Sequence, residues 1–426
     1  MEPLAFKLRP ESGLPVPFFL LGLLGLAAVP TAAALDPGAL LFAAPGPDGL
    51  LCLHLVTLGF LAPVMLGAYY QLVPVVLHAP IPRPGWGRLL WAALALGVLL
   101  FLVGWGFVQP AWIAVGGSLA GAALLGFVGH MGLALAGLRK ASPPAAAFLL
   151  ALVSLALVAV LGPLLALHLA GARIPAAETL PLLHAAVGLG GWLLLTIVGA
   201  SYQLLPFFAA TEPAIRPRVA YLAIALLAAG VAGVAAGLGR PGLGGAAVLA
   251  GLVLWALDLG RMARHGRQAR REPVVSFSGI AVLLLVAAVA ATEADFLGAA
   301  LPVPALFLLG ALAAPALLIV GQLQKILPFL TALDVALAAK RRGQVPKTEA
   351  LFPRQAAFAL LGPLALGLVG MAAASALGSA PGLRAAAILA ALAGYAYVGR
   401  QARVAAVWWR SRRGSAAGTR DAARPG

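Results

Sequence analysis

Charge is scarce in this chain, and acidic charge is scarcer still: 10% of its 426 residues are charged, with 13 Asp and Glu against 29 Lys and Arg. So little polar surface could not cover a soluble globule of this length. There is one cysteine, Cys52, which excludes an intramolecular disulfide and a cysteine-rich metal site. The sequence also lacks a phosphate-binding G-x-x-x-x-G-K-[ST] loop, an H-E-x-x-H zinc motif and a dinucleotide fingerprint, so soluble-type catalytic machinery is missing. What fills the chain is apolar: 62% of residues are hydrophobic and the mean hydropathy is +1.01.

A hydrocarbon core of about 30 Å needs roughly 20 apolar residues per helix. Dividing the chain at its charged and Pro/Gly breaks predicts about twelve such runs, near residues 15–35, 50–77, 86–108, 111–137, 145–170, 181–208, 218–239, 242–262, 276–297, 303–332, 354–378 and 383–408. The expectation is an all-α integral membrane protein with the lipid bilayer as its solvent. Flanking it are a short N-terminal segment, 1–14, and a basic tail, 409–426, whose small and polar composition from Ser411 onward predicts disorder. The first apolar run is followed by Asp36 without a small-residue cleavage site, so the first span is expected to be retained.

One segment recurs three times. Gly67-Ala68-Tyr69-Tyr70-Gln71-Leu72-Val73-Pro74 is echoed by Gly199-Ala200-Ser201-Tyr202-Gln203-Leu204-Leu205-Pro206-Phe207 and by Gly321-Gln322-Leu323-Gln324-Lys325-Ile326-Leu327-Pro328-Phe329, at offsets of 132 and then 122 residues. Such periodicity predicts three pseudo-repeated four-helix units, about 15–140, 145–265 and 276–408, with the segment at the inner end of spans two, six and ten.

Lys and Arg fall almost entirely in the termini and in the loops after even-numbered spans, while the other loops hold Arg173, Arg240 and Arg384. The positive-inside bias therefore predicts cytoplasmic N and C termini in a cell (inner) membrane. The net charge of +16 reads as a topology signal. Spread over many segments without a recognition motif, it does not point to nucleic acid. The cluster Arg261–Arg271 suits contact with anionic headgroups.

Polar residues inside the spans are costly in hydrocarbon and are the functional candidates. In span six, His184, Gly188, Gly191, Leu195, Gly199, Tyr202 and Pro206 follow steps of three or four and so share a stripe. Two readings fit it: tight helix packing with a satisfied histidine, or a metal or haem ligand at His184 with Tyr202 and Gln203 as hydrogen-bonding groups lower in the span. His54 in span two and His168 at the end of span five share the depth of His184, as a haem held by two imidazoles would require. The register of the repeats places Cys52, not His54, opposite His184, and two residues turn a side chain by roughly 200°, so these histidines are expected to look in different directions. Tyr70 and Gln71 stand where Tyr202 and Gln203 stand in the next unit. His130 reads as a packing or hydrogen-bonding residue, and His78 and His265 as solvated. Lys325 is expected to snorkel to the headgroups, Asp258 to pair with Arg261, and Glu293 and Asp295 to be solvated. Asp334 is within reach of Lys325.

The segment His54-Leu55-Val56-Thr57-Leu58-Gly59-Phe60 with Tyr70-Gln71-Leu72-Val73-Pro74, and the segment His184-Ala185-Ala186-Val187-Gly188-Leu189-Gly190-Gly191-Trp192 with Tyr202-Gln203-Leu204-Leu205-Pro206-Phe207, resemble the second and sixth helices of haem-copper oxidase subunit I. The similarity is greatest to the cbb3-type oxidase and nitric oxide reductase branch. Twelve spans in a threefold arrangement and cytoplasmic termini are what the resemblance implies. In that family span two supplies a low-spin haem ligand, span ten its partner and the ligand of a second haem, and spans six and seven the copper histidines. Here His54 fits the span-two ligand and His184 is similar to the span-six one, but spans seven and ten hold no histidine. A copper-containing oxygen-reducing centre cannot be built in that way. The resemblance then implies one haem b, held by His54 or His184 with an unorthodox partner such as His168, in electron transfer, gas or quinone interaction, or an accessory role beside respiratory-chain subunits. Prolines interrupting the equivalent helices, Pro63, Pro74, Pro206, Pro315 and Pro328, equally suit a transporter or channel with broken helices, and a non-catalytic assembly subunit is a third expectation.

Overall fold

Among the described residues, twelve helices are long and apolar enough to cross a membrane, and they fall where the apolar runs predict. The computed structural model describes residues 13–38, 46–138, 142–175, 177–209, 215–237, 241–265, 272–338 and 348–421, and among these there is no strand. The spans are α1 (Pro15–Leu35), α2 (Pro47–Val76), α3 (Pro84–Gly106), α4 (Pro110–Leu135), α5 (Pro143–Leu169), α6 (Leu180–Ala209), α7 (Pro217–Ala235), α8 (Gly242–His265), α9 (Pro273–Ala299), α10 (Pro304–Ala336), α11 (Arg354–Ala376) and α12 (Ala380–Arg412). Proline sits in the first turn of most of them, where its missing N–H would have had no helical partner and its fixed φ suits the entry. Ser142 caps α5, its Oγ accepting from Ala145 N–H at 3.3 Å, which satisfies one of the free donors of the first turn.

Lipid tails are as apolar as leucine, so close backbone approach rather than hydrophobic exclusion holds such helices together. Three neighbouring pairs cross at glycine. A Cβ on Gly97 of α3 would lie 2.5 Å from Ala120 N of α4, one on Gly230 of α7 would lie 2.6 Å from Gly244 O of α8, and one on Gly367 of α11 would lie 2.5 Å from Ala390 N of α12. Next along the chain α4 packs on α5 and α8 on α9, and α12 returns to α1, so the ring closes. Inside it stand α2, α6 and α10, of which α10 is the most enclosed. They converge on a narrow space lined by Val64, Ala68, Thr196, Ala200, Ile319 and Gln322.

All three inner helices contain a stretch of wider, π-type winding: Leu55–Leu61 in α2, Ala186–Leu194 in α6 and Leu308–Ala313 in α10. In α2 the winding ends as Ala62 N–H reaches Thr57 O, a five-residue step, and Pro63 follows. In α10 the winding ends at Ala313, and Pro315 follows. A proline donates no N–H and crowds the carbonyl four residues before it, so the turn ahead of it rebonds at longer range. The stretch in α6 has no such proline; it holds Gly188, Gly190 and Gly191, which lower the cost of irregular winding.

The end of the bundle where α1 begins carries the buried ionic groups. Asp258 is fully buried and accepts from Arg216 Nε at 2.9 Å as well as meeting Arg261 at 3.4 Å. Glu272, at the start of α9, pairs with Lys325 at 2.8 Å and Arg354 at 2.9 Å, and Arg354 continues to Glu349. Lys325 therefore turns inward to a carboxylate instead of snorkelling: its side chain is 14% exposed and Glu272 offers a partner at its own depth. Asp334 accepts from Trp408 Nε1 at 2.8 Å, and Asp295 from the Leu301 N–H at 2.7 Å. Arg261 pairs as expected, and His78 and His265 are exposed.

Helical geometry also runs further than the tail's composition suggests. The final helix extends over Ala380–Asp421, because Arg, Ala, Ser and Trp after residue 403 present no proline before Pro425; 409–421 is thus helical where disorder was expected. The segment 1–12, the end of the basic cluster at 266–271, the loops holding Arg139, Lys140, Arg240 and Lys340–Lys347, and the last residues 422–426 lie outside the described residues.

Replacing Glu272 with Gln leaves Lys325 as an uncompensated buried charge and is expected to destabilise the protein by about 3 kcal/mol. Thermal unfolding in detergent should show Glu272→Gln well below the native protein and the double variant Glu272→Gln/Lys325→Met recovering part of the loss.

Candidate cofactor site

At the end of the bundle away from the ionic groups, two histidines meet. His54 ends the first α-helical stretch of α2 and His184 lies two residues before the π winding of α6. Their ring centroids are 6.5 Å apart with planes inclined by 29°. The two-residue offset in the repeat register, expected to aim them apart, instead leaves them facing one another across the α2–α6 boundary.

His54 is held on two sides. Its Nδ1 lies 2.8 Å from Leu50 O, and since a carbonyl only accepts, Nδ1 carries the proton and Nε2 keeps a free lone pair. Its ring meets Phe101 of α3 edge-on at 5.0 Å, and Phe101 belongs to an apolar cluster with Trp105, Ile113 and Ala166, onto which Leu50 and Leu51 pack. A backbone bond on one imidazole nitrogen that orients the other is how ligating histidines are commonly fixed. His184 packs against α5 where Gly162 makes room: a Cβ there would stand 3.3 Å from His184 Cε1. The Nδ1 of His184 is buried and has no hydrogen-bond partner among the described residues. Trp105 Nε1, in the cluster beside His54, is in the same condition. Buried polar atoms without partners are uncommon enough to require an account.

His168 does not join the pair. It is exposed at the end of α5, and its Nδ1 donates to Ala172 O at 3.1 Å, closing its own turn. A polar ring at a helix end satisfies the free carbonyls locally, and that geometry turns it away from the interior.

The tyrosine and glutamine candidates form a separate group. Tyr70 and Gln71 follow His54 by 16 and 17 residues, and Tyr202 and Gln203 follow His184 by 18 and 19, so helical rise puts them roughly 25 Å away towards the other end. They cannot share a ligand with the histidines. Tyr70 is buried, and its hydroxyl lies 3.1 Å from His130 Nδ1, while His130 Nε2 lies 2.5 Å from Pro82 O. Pro82 O accepts only, so Nε2 is the protonated nitrogen and Tyr70 donates to Nδ1. His130 is thus a hydrogen-bonding residue joining α2, α4 and the loop before α3. Tyr202 is fully buried with its hydroxyl unpartnered among the described residues, Gln71 Oε1 is in the same state, and Gln203 is half-buried.

Sequence reasoning passed over Tyr69. Its hydroxyl reaches Phe148 O of α5 and Thr196 Oγ1 of α6, both at 3.3 Å, and its ring stacks on Trp192 at 5.5 Å, tying three helices together. The signal was available, because Tyr69 stands beside Tyr70 in the recurring segment. Cys52 is buried and free. No group of three or more His, Cys, Asp or Glu side chains able to hold a metal ion stands together among the described residues. In comparisons with known proteins, no family model and no curated sequence matches this chain.

Tyr70→Phe removes the donor to a buried histidine nitrogen and is expected to cost about 1–2 kcal/mol. The unfolding midpoint of the purified protein in detergent should fall accordingly, with the His54–His184 end left unchanged.

Proposed function

We propose that this protein is a haem-binding membrane protein similar to haem-copper oxidase subunit I, in which His54 and His184 would together hold a single haem b. The observation that carries this reading is the separation of the two imidazoles. With 6.5 Å between ring centres, the two imidazoles are near enough for one bound group to be held by both, as a haem with two histidine ligands would be. The fixed tautomer of His54 and the unpartnered Nδ1 of His184 fit the same role, and the apolar neighbours Phe101, Leu50 and Leu51 suit a largely hydrocarbon ring.

When bound, such a haem supplies one-electron oxidation and reduction. This chain's residues contribute ligation, a low-polarity surround and shielding from water. The family resemblance would pair span two with span ten; here the partner of His54 is on α6. That departure is intelligible if the units are related by rotation about the bundle axis. Equivalent positions then point the same way around the ring, and contacts between neighbours join different faces. A two-residue offset, turning the side chain by roughly 200°, is what lets a histidine of one unit face a histidine of the next. Contacts that recur every four helices and close from α12 onto α1 support that arrangement. Spans seven and ten lack the histidines that an oxygen-reducing centre of that family would need, so the role adopted is electron transfer or an accessory respiratory function, beside a quinone or other respiratory subunits in the inner membrane and with both termini cytoplasmic.

Reduced-minus-oxidised and pyridine-haemochrome spectra of the detergent-purified protein test it. The expected result is one b-type haem per chain, lost in His54→Ala and in His184→Ala and retained in His168→Ala. A stable, haem-free protein from cells supplied with haem would overturn the reading and move the weight to transport or assembly.

A further inference from the structure

At the end of the bundle away from the histidine pair, α11 and α12 draw apart. They touch closely where Gly367 meets Ala390, but nearer the start of α11 an open groove runs between them. Its apolar walls are mostly small residues, Ala356 and Ala359 beside Leu360 on α11 and Ala396 and Gly399 on α12. Ala359, Ala396 and Gly399 are exposed, so the groove faces outward from the bundle, into the surrounding lipid.

Two arginines stand at one end of this groove. Arg400 and Arg403 line it from α12, on the same stripe as Ala396 and Gly399. Arg400 is anchored, its Nη2 donating to Leu351 O at 2.7 Å and its guanidinium lying 5.5 Å from the Phe352 ring centre. Its Nε is buried and has no partner among the described residues. Arg403 is exposed. Neither guanidinium meets a carboxylate among the described residues, although at the same end Arg216, Arg261 and Arg354 all do. Along α12, Arg384 marks the opposite end, and Arg400 lies 16 residues further on, about 24 Å along the helix axis. Against a hydrocarbon core of about 30 Å, that puts the backbones of Arg400 and Arg403 near the edge of the core, from which their long side chains reach the phosphates by snorkelling.

We propose that this groove is a binding site for an anionic phospholipid. One acyl chain lies along the mainly alanine and glycine walls, and the headgroup phosphate bridges Arg400 and Arg403. The anchored guanidinium of Arg400 and the exposed one of Arg403 form a two-point phosphate site. Basic pockets between transmembrane helices at this depth select anionic headgroups in the same way. The proposal is independent of the haem reading.

Native mass spectrometry of the full chain, released from detergent with phosphatidylglycerol or phosphatidylcholine added, tests the proposal. Phosphatidylglycerol adducts should be retained in preference to phosphatidylcholine. Each arginine contributes about fivefold in affinity at such a surface, so Arg403→Gln should weaken phosphatidylglycerol retention about fivefold and Arg400→Gln/Arg403→Gln roughly 30-fold. Arg218→Gln, which removes an exposed charge at the same end on α7, should have no effect. Arg403 touches no described partner, so the single variant keeps the test valid if loss of Arg400 impairs folding. Equal retention in Arg403→Gln and the native protein, or equal retention of the two lipids, would overturn the proposal. So would displacement of the lipid by millimolar inorganic phosphate, which would mark a soluble-anion site.

Discussion

The bilayer offers no hydrogen bonds, so every backbone N–H and C=O that enters hydrocarbon must find its partner inside the protein. Everything else in this structure is arranged around that constraint. It dictates helices throughout, it favours proline at helix starts where a donor would be idle, and it dictates how the inner helices respond when proline falls mid-span. Pro63 and Pro315 each follow a stretch of π winding: the turn ahead of the ring rebonds over five residues rather than leaving carbonyls exposed. His54 sits immediately ahead of such a stretch, and His184 two residues ahead of another.

The same constraint governs charge. Asp258 and Glu272 are buried but not isolated, each held by two basic partners at the end of the bundle. Placing the pairs near a helix terminus keeps their outer members, Arg216 and Arg354, within reach of water while the carboxylates stay inside. The histidine end carries no comparable ionic network among the described residues. A neutral pair of imidazoles in an apolar setting is the form in which histidine ligates metals and haem, so the two ends differ in kind: one is locked by charge, and the other is neutral and only partly satisfied.

The arginine groove between α11 and α12 belongs to this economy of charge as well. Where the protein supplies a carboxylate, arginine is drawn inward. Where it supplies none, small residues beside the arginine leave a surface open to lipid. The histidine pair thus stands at one end of the bundle, and two guanidiniums without a carboxylate partner among the described residues stand at the other.

The twelve spans, their boundaries to within a few residues and the membrane as solvent were legible in the sequence, because apolar run length and proline placement act locally. The histidines at a common depth were legible for the same reason, since depth is a count of residues along a helix. Orientation around the helix was not. The pairing of His54 with His184, the exclusion of His168, the inward turn of Lys325 to Glu272 and the bridging role of Tyr69 depend on which faces neighbouring helices present to one another. Rotation and close approach are set by long-range packing at glycines and by irregular winding, neither of which repeats with a period that can be read from the chain. The sequence by itself determined how far along each helix its polar groups lie, and only the tertiary structure decided which of them meet.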